Sequence, residues 1–366
     1  MSAAAAARDA GLAPDARCAP ERPAPGAAVD RVRAVRTRGQ RRRATVAIGL
    51  VVLVVALVVV TLTLGPFKVA LVDVVRILGG EQIPGATFIV MEQRLPRLLV
   101  ALGVGAAFGA SGTIIQTLVR NPLASPDVIG ITAGASAAAV LGMTVGGLGA
   151  VAVAPVAFGG ALVTAAVIYV LARRGAISGY RFVLVGVGVA AVLNAVTAWG
   201  LTRAEVTEAS RALVWITGSL SRASWDQVPV LWAALAVLLP LAALAALRLR
   251  ALELGDDAAA GLGARVEPAK AGLLILAVAL AAVATAAAGP VAFVAFLSGP
   301  LARRLTGGGV SLGASALTGA CLVLAADLVA TSLLPTALPV GVVTGVLGAP
   351  VLLWLLARAN RSGEGG

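Results

Sequence analysis

Ser111, in the sequence GASG, has the surroundings that most suggest covalent chemistry in this chain. A serine becomes a nucleophile when a neighbouring base takes its proton, and in proteins that base is most often histidine. The 366 residues include no histidine, which excludes Ser–His and Cys–His catalysis and any histidine metal site. The two cysteines, Cys18 and Cys321, lie in a basic tail and in an apolar run, so neither a disulfide nor a metal cluster is indicated. We expect a protein that is not an enzyme and that itself binds no metal or other cofactor.

The lysines bear on whether the chain could bind ATP. Only Lys68 and Lys270 are present, and neither belongs to a G-x-x-x-x-G-K-[ST] loop of the kind that cradles nucleotide phosphates. If ATP drives this protein, we expect a separate ATPase chain to bind and hydrolyse it.

The stretch RNPLASPDVIG, residues 120–130, is a compact polar cluster between two long uncharged runs. Arg120 would place a cation at the C-terminus of one helix, which is favourable. Pro122 and Pro126 prevent that helix from continuing, and Asp127 can cap a next helix that starts at residue 128. On these grounds alone the simpler interpretation is a turn between two helices.

A second polar stretch, ALELGDDAAAGLGARVE, covers residues 251–267. Its pattern predicts a short amphipathic helix, which either lies on the lipid surface or docks into the groove of a partner. The acidic character argues against anionic lipid and favours a protein partner. Four apolar residues share one face, two acids share another, and a glycine stands at each end: Leu252, Leu254, Ala258 and Leu262; Asp256 and Asp257; Gly255 and Gly263.

Charged side chains also mark the opposite ends of the apolar runs. Arg94 and Arg97 flank Pro96, which can open a helix, and they either anchor a span to lipid headgroups or pair with carboxylates of an extracytoplasmic protein. Asp327 is the one acid inside an apolar run, and such a residue is a candidate functional site. It lies about 34 Å beyond Arg304 if the helix is continuous. We therefore favour a structural or entrance role for Asp327 at the outer interface.

The elements that position these residues are transmembrane helices. The chain is 59% hydrophobic and only 13% charged, and one span needs about 20 apolar residues. Small residues such as those of GVGAAFGASG let helix backbones approach closely. We predict an all-α polytopic membrane protein with ten transmembrane helices, near residues 44–65, 98–119, 128–147, 151–171, 182–202, 227–247, 270–288, 290–304, 309–333 and 340–357.

The predicted ten-helix domain covers residues 44–358, and a tail lies on each side of it. Residues 1–43 are rich in Ala, Pro and Arg and end in RTRGQRRR, so we expect a disordered basic tail that fixes orientation and does not bind nucleic acid. Residues 359–366 form a short second tail. Placing the N-terminus in the cytoplasm puts twelve basic residues on that side, outside the tail, against seven on the other, as the positive-inside rule requires. Both termini and residues 120–130 are then cytoplasmic.

These stretches, in this order, resemble the FecCD-type permease family of ABC importers, which carry iron–siderophore, haem or cobalamin. Several segments match, including QRLPRLLVALGVGAAFGASGTIIQTLVRNPLASPDVIGITAGA, LVGVGVAAVLNA, WITGSLSRASW, LELGDDAAAGLGARV, AGPVAFVAF and ADLVATSLLPTALPVGVVTGVLGAPVLLWLL. The resemblance implies the type II ABC importer permease fold in a bacterial cytoplasmic membrane. It also implies a second permease subunit, identical or related, two ATPase subunits and an extracytoplasmic substrate-binding protein.

The same resemblance assigns roles to residues. It implies a cytoplasmic gate at Asn121, Pro122 and Leu123, and binding-protein docking at Arg94 and Arg97. It implies ATPase coupling through Leu254, Gly255, Asp256, Asp257, Ala258, Leu262 and Gly263. Three positions depart from the family pattern: Gly299-Pro300 replaces a Pro-His, Thr331 replaces an outer arginine, and Gly179-Tyr180 stands where a pair of small gate residues is usual.

The function that the resemblance implies is ATP-driven import of a ferric siderophore by alternating access. Cobalamin or haem import by the same kind of machine is the nearest alternative. A secondary transporter driven by protons or sodium is a third, although such proteins usually carry ionisable or unwound polar groups at the bilayer midplane, where we identify no ionisable candidate.

Overall fold

The regular structure of this chain is helical throughout the part that the computed structural model describes, residues 25–173, 179–334 and 336–363. Two segments have π-helical geometry: Ile89–Arg94 leads into α4, and Val329–Leu333 continues α13. The α-helices are α1 (Pro25–Thr63), α2 (Leu71–Leu78), α3 (Ala86–Phe88), α4 (Leu95–Val119), α5 (Ile131–Thr144), α6 (Ala150–Ala172), α7 (Gly179–Arg203), α8 (Val206–Ile216), α9 (Gln227–Glu253), α10 (Asp256–Gly261), α11 (Val266–Ala288), α12 (Val294–Thr306), α13 (Leu312–Leu328) and α14 (Val340–Gly363).

Two compact units divide the chain, Met1–Arg42 and Arg43–Gly366. In the first unit the structure describes residues 25–42, which are the beginning of α1. Residues 25–43 were expected to be disordered and are instead helical, because alanine and arginine are strong helix formers and a helix, once nucleated, extends readily. The expectation for residues 1–24 lies outside the described residues. The predicted C-terminal tail is helical as far as Gly363.

Each of the ten predicted spans coincides with a helix of the second unit or with the apolar part of α1. Among the described residues, seven helices are long and apolar enough to cross a membrane: Arg36–Thr63, Ala86–Val119, Ala152–Ala172, Gly179–Arg203, Gln227–Glu253, Val266–Ala288 and Leu312–Leu333. The other three predicted spans correspond to shorter helices, α5, α12 and the apolar part of α14. The chain is therefore an all-α polytopic membrane protein.

The spans at α5 and α12 are shorter than predicted because the backbone before each helix turns. Gly130 precedes α5 with φ of 89°, and Gly289 and Phe293 precede α12 with φ of 72° and 64°. These left-handed conformations cannot belong to an α-helix, and for phenylalanine such a conformation is uncommon. The apolar composition continues across both turns, so composition alone predicts that both helices begin a few residues earlier than they do.

α4 lies at the centre of the second unit, where it packs against α9, α11, α12 and α13. Its small residues allow this close packing. A Cβ atom added at Gly105 would lie 2.5 Å from the Gly319 carbonyl oxygen, and one at Gly112 would lie 1.9 Å from that of Ala295. Ser111 is fully buried, and its hydroxyl donates to the Ala277 carbonyl oxygen of α11 at 2.6 Å. The serine of GASG thus joins two helices.

Candidate gate and coupling site

The residues Asn121, Pro122 and Leu123 form a tight turn directly after α4. Arg120 ends the helix in the left-handed region, with φ of 53°. The Asn121 side-chain oxygen accepts a hydrogen bond from the Leu123 backbone N–H at 2.9 Å, and its carbonyl oxygen accepts one from the Ala124 N–H at 3.1 Å. Pro122 and Leu123 are exposed. Two hydrogen bonds hold the backbone of the turn, which presents Pro122 and Leu123 at the surface.

Gln116, in the last helical turn of α4, holds the end of that helix against α12 and so helps to fix the turn that follows. Its side-chain nitrogen donates to the Phe296 carbonyl oxygen of α12 at 2.9 Å, and its oxygen accepts from Arg303 at 2.9 Å. Gly299 provides the space, because a Cβ atom there would lie 2.4 Å from the Gln116 oxygen. Gln116 was not among the predicted site residues, although an amide within a run of 22 uncharged residues was a usable signal.

Asp127 does not cap α5, contrary to prediction. The helix begins at Ile131 and its N-cap is Gly130, which makes no side-chain cap hydrogen bond. Gly130 is required there, because a Cβ atom would lie 2.9 Å from the Ala190 Cβ atom in α7. The Asp127 Oδ1 atom is buried without a hydrogen-bond partner. The residue also borders an open cavity of about 370 Å³. This cavity is lined by Asp127, Thr132, Ile216, Thr217, Pro290, Ala292, Gly341 and Val342.

The predicted short helix is present as α10, between Gly255 and Gly263, whose φ values are 108° and 84°. Leu254 and Leu262 are 66% and 70% exposed, and Asp257 and Ala258 are exposed as well. Leu252 differs from the prediction, since it belongs to the last turn of α9 and is buried. We call the set Leu254, Asp257, Ala258 and Leu262 the α10 surface.

Asp256 has a different environment from its neighbour Asp257. Its Oδ1 atom accepts from Arg120 at 2.6 Å, and its Oδ2 atom accepts from Lys270 at 2.6 Å. The Lys270 side chain is only 10% exposed, whereas those of Arg120 and Asp256 are 50% and 42% exposed. One carboxylate therefore ties α10 both to the end of α4 and to α11. The sequence pattern placed the two aspartates together on one face and did not predict this division of roles.

At the other end of α4, Arg97 and Asp327 form an internal ion pair. Arg97 donates from Nε to both carboxylate oxygens at 3.0 Å and from Nη2 to Oδ1 at 2.7 Å. The Asp327 side chain is 2% exposed and that of Arg97 is 23% exposed. Thr331, where the resembled family has an arginine, donates its hydroxyl to the Asp327 backbone oxygen at 2.8 Å. This geometry agrees with the structural role expected for Asp327.

Arg94 is likewise bound within the chain. Its Nη1 atom donates to the Leu62 carbonyl oxygen at 2.6 Å and its Nη2 atom donates to that of Phe67. The predicted docking arginines thus both connect α4, or the π-helical segment before it, to neighbouring helices. Only the exposed part of each guanidinium group is available to a partner protein.

The pair Gly179-Tyr180 lies beside the turn of Asn121, Pro122 and Leu123, which we call the gate turn after the role that the family resemblance implies. A Cβ atom at Gly179 would lie 2.9 Å from the Val119 carbonyl oxygen, so the start of α7 packs directly on the last residue of α4. The Tyr180 side chain is 79% exposed. The small residue of this pair is required by packing, and the large residue points away from it.

The comparisons with known proteins agree with this architecture. The model of the FecCD transport family matches residues 52–358. The ferric enterobactin transport system permease protein FepG of Escherichia coli (strain K12) is 42% identical over 284 residues, covering 77% of this chain and 86% of that protein. The achromobactin transport system permease protein CbrC of Dickeya dadantii (strain 3937) is 42% identical over 311 residues, covering 84% and 89%.

A solved structure shares the fold. It is an inward-facing conformation of a transporter described as a metal-chelate type ABC transporter, with a TM-score of 0.75 and 24% identity, and the match covers 86% of this chain and 99% of that one. The family match spans the part of the chain that contains α4, the gate turn, α10 and the ion pair of Asp327. The chain belongs to the FecCD transport family.

Proposed function

We propose that this chain is the permease subunit of an ATP-driven importer for ferric siderophores in a bacterial cytoplasmic membrane. The observation that carries the proposal is the pairing of two features at one end of α4. A proline-interrupted turn exposes Pro122 and Leu123. Beside it, the short helix α10, whose Asp256 binds Arg120, is flanked by two exposed leucines, Leu254 and Leu262. Membership of the FecCD transport family and the names of the similar permeases support the same function.

The α10 surface is the proposed site of contact with the ATPase. Leu254 and Leu262 offer apolar side chains for a groove, and Asp257 adds a charge beside them. ATP binding belongs to the ATPase, since this sequence has no phosphate-binding loop. We propose that α10, the gate turn and both termini lie on the cytoplasmic side of the membrane.

A second permease subunit, identical or related, completes the proposed exit gate. Leu123 is 39% exposed on a backbone turn that is held by its own hydrogen bonds. Two such turns facing one another would close the pathway with apolar side chains and would need little rearrangement of either backbone.

Docking of the binding protein at Arg94 and Arg97 remains a prediction. Both residues lie at the end of α4 opposite the gate turn, where an extracytoplasmic protein would approach. Their existing contacts hold the helices together at this end, so an acidic partner would have to share the Arg97 guanidinium with Asp327. We therefore propose a smaller docking contribution from these arginines than their charge alone suggests.

The proposed mechanism is alternating access. The loaded binding protein docks outside, ATP closes the ATPase dimer, and α10 carries that movement to the gate turn. Such coupling requires each ligand to bind the inward-facing and outward-facing states with different free energies. In this proposal the chain itself contributes packing and ion pairs to the cycle and performs no covalent chemistry.

Growth under iron limitation tests the proposed cargo. A bacterial strain lacking its own ferric-chelate permeases would express this chain with its partner permease, ATPase and binding protein. We expect growth on at least one of ferric enterobactin, ferric citrate and a ferric hydroxamate. Growth on haem alone, or rescue of a cobalamin auxotroph alone, would assign the alternative cargo.

A further inference from the structure

We propose that the Arg120–Asp256 ion pair is the link through which α10 controls the gate turn, with Lys270 as its fixed anchor. This inference rests on the proposed function, because it assigns a path for the movement that the ATPase would start. Arg120 and Asp256 are positioning residues in this role, since they act on the turn and not on the cargo.

The first support is the division of the Asp256 carboxylate between two cations. One oxygen accepts from Arg120 and the other from Lys270, each at 2.6 Å. Arg120 is 136 residues distant in sequence from Asp256 and directly precedes Asn121. The carboxylate thus joins the first residue of α10 to the residue that begins the gate turn.

The second support is the unequal burial of the two ion pairs. Lys270 is 10% exposed and would be left as a buried, unpaired cation if Asp256 moved away, which is costly. Arg120 is 50% exposed, so its pair with Asp256 is weak and easily broken or remade. The Lys270 contact therefore keeps α10 on α11, while the Arg120 contact is free to change during a transport cycle.

The third support is the backbone of Arg120. Its φ of 53° lies in the left-handed region, which a residue other than glycine adopts only at a cost in free energy. Arg120 is the last residue before the turn, so its backbone conformation helps to set the direction of the chain at Asn121. A displacement of the Arg120 side chain would therefore move the gate turn directly, because Arg120 is bonded to the first residue of that turn.

The variant Arg120→Gln tests the link and keeps the Asp256–Lys270 pair that the fold requires. The conservative variant Arg120→Lys retains a cation, and Arg248→Gln removes an exposed arginine of α9 as a matched control. Each would be reconstituted with the partner permease, ATPase and binding protein in proteoliposomes. The two measurements are ATP hydrolysis and uptake of the labelled ferric chelate that supports growth above.

We expect Arg120→Gln to hydrolyse ATP within about twofold of the parent, while uptake per ATP falls about fivefold or more, as for a typical coupling free energy. Arg120→Lys and Arg248→Gln should keep the parental ratio. An unchanged ratio in Arg120→Gln overturns the link. Loss of assembly or of ATP hydrolysis also overturns it, because Arg120 would then be a folding or docking residue.

A labelling measurement separates the link from a purely structural role. A cysteine introduced by Leu123→Cys should change its rate of reaction with a soluble thiol reagent when ATP is added, in the Arg120 and Arg120→Lys backgrounds. That change should be absent with Arg120→Gln. If the parent complex shows no ATP-dependent uptake, the proposed function fails; if only the Arg120→Gln result fails, the proposed function stands without this link.

Discussion

At the scale of single residues, the same side-chain type performs different tasks in adjacent positions. Asp256 is bound to two cations, and its neighbour Asp257 is exposed on the α10 surface. Arg97 donates three hydrogen bonds to Asp327, at a position where the family resemblance implies a docking residue. Burial and partners decide these roles, and both depend on residues far away in the sequence.

The Arg97–Asp327 pair gives a stability prediction. Asp327→Leu leaves the Arg97 guanidinium without its partner, and we expect the free energy of unfolding to fall by about 2–3 kcal/mol. Breaking a fully buried ion pair costs about 3–5 kcal/mol, and this loss is smaller because Arg97 is partly exposed. The midpoint of thermal unfolding in detergent should fall. The double variant Arg97→Met/Asp327→Leu should recover most of the loss, since no charge remains buried.

The exposed pair of Arg76 and Glu81, with side chains 57% and 59% exposed, provides the control. Glu81→Gln should change stability by less than about 1 kcal/mol. A double variant as unstable as Asp327→Leu would contradict the account, because it would show that packing and not the ion pair is at stake.

Asp257 gives a docking prediction. Asp257→Lys should weaken binding of the ATPase a few-fold, because exposed charge pairs are worth about 0.2–1 kcal/mol and reversal adds repulsion. The unfolding midpoint should stay unchanged, since the side chain is exposed. Binding measured at low and high salt checks this, and an affinity equal to the parent at low salt would remove Asp257 from the docking surface.

At the scale of helices, the central position of α4 depends on residues without side chains. A Cβ atom at Gly112 would lie 1.9 Å from the Ala295 carbonyl oxygen, so Gly112→Ala must separate α4 from α12. We expect destabilisation of about 1–3 kcal/mol. In Gly188→Ala, on α7, the added atom meets nothing within 4 Å. Equal unfolding midpoints for the two variants would show that this close approach is not required.

The existence and order of the ten spans could be predicted from sequence, because apolar runs of about 20 residues are long enough to be unambiguous, whereas the short helices α2, α3 and α8 were not predicted. The beginnings of α5 and α12 could not be predicted. Gly130 and Phe293 adopt left-handed conformations, and the apolar composition around them continues without a break. The bracketing glycines of α10 were recognisable, because positive φ at both ends is a local requirement that glycine meets.

The contacts of the candidate site were largely beyond sequence analysis. Arg120 and Asp256 are 136 residues apart, and Arg97 and Asp327 are 230 apart. Their charges were visible, but no local pattern specifies which cation meets which carboxylate. The contact between Gln116 of α4 and Gly299 of α12 is likewise not specified by any local pattern, because it joins residues far apart in the sequence.

At the scale of the whole molecule, the two ends of α4 have different characters. The Arg97 end is held by a buried ion pair and by Arg94, whereas the Arg120 end carries the exposed turn and the exposed α10 surface. A transporter that opens its exit by moving α10 and the gate turn needs this distribution, with one end fixed and the other available to partners. We therefore predict that movement of the gate turn is coupled to ATP hydrolysis by the ATPase.

Uptake by proteoliposomes containing this chain with its partner permease, ATPase and binding protein tests that claim most directly. Labelled ferric siderophore would be offered with and without ATP on the ATPase side, and with a protonophore or a sodium ionophore present. We predict accumulation that requires ATP and is unaffected by either ionophore. Accumulation that ignores ATP and collapses with one of the ionophores would contradict the account and identify an ion-coupled transporter.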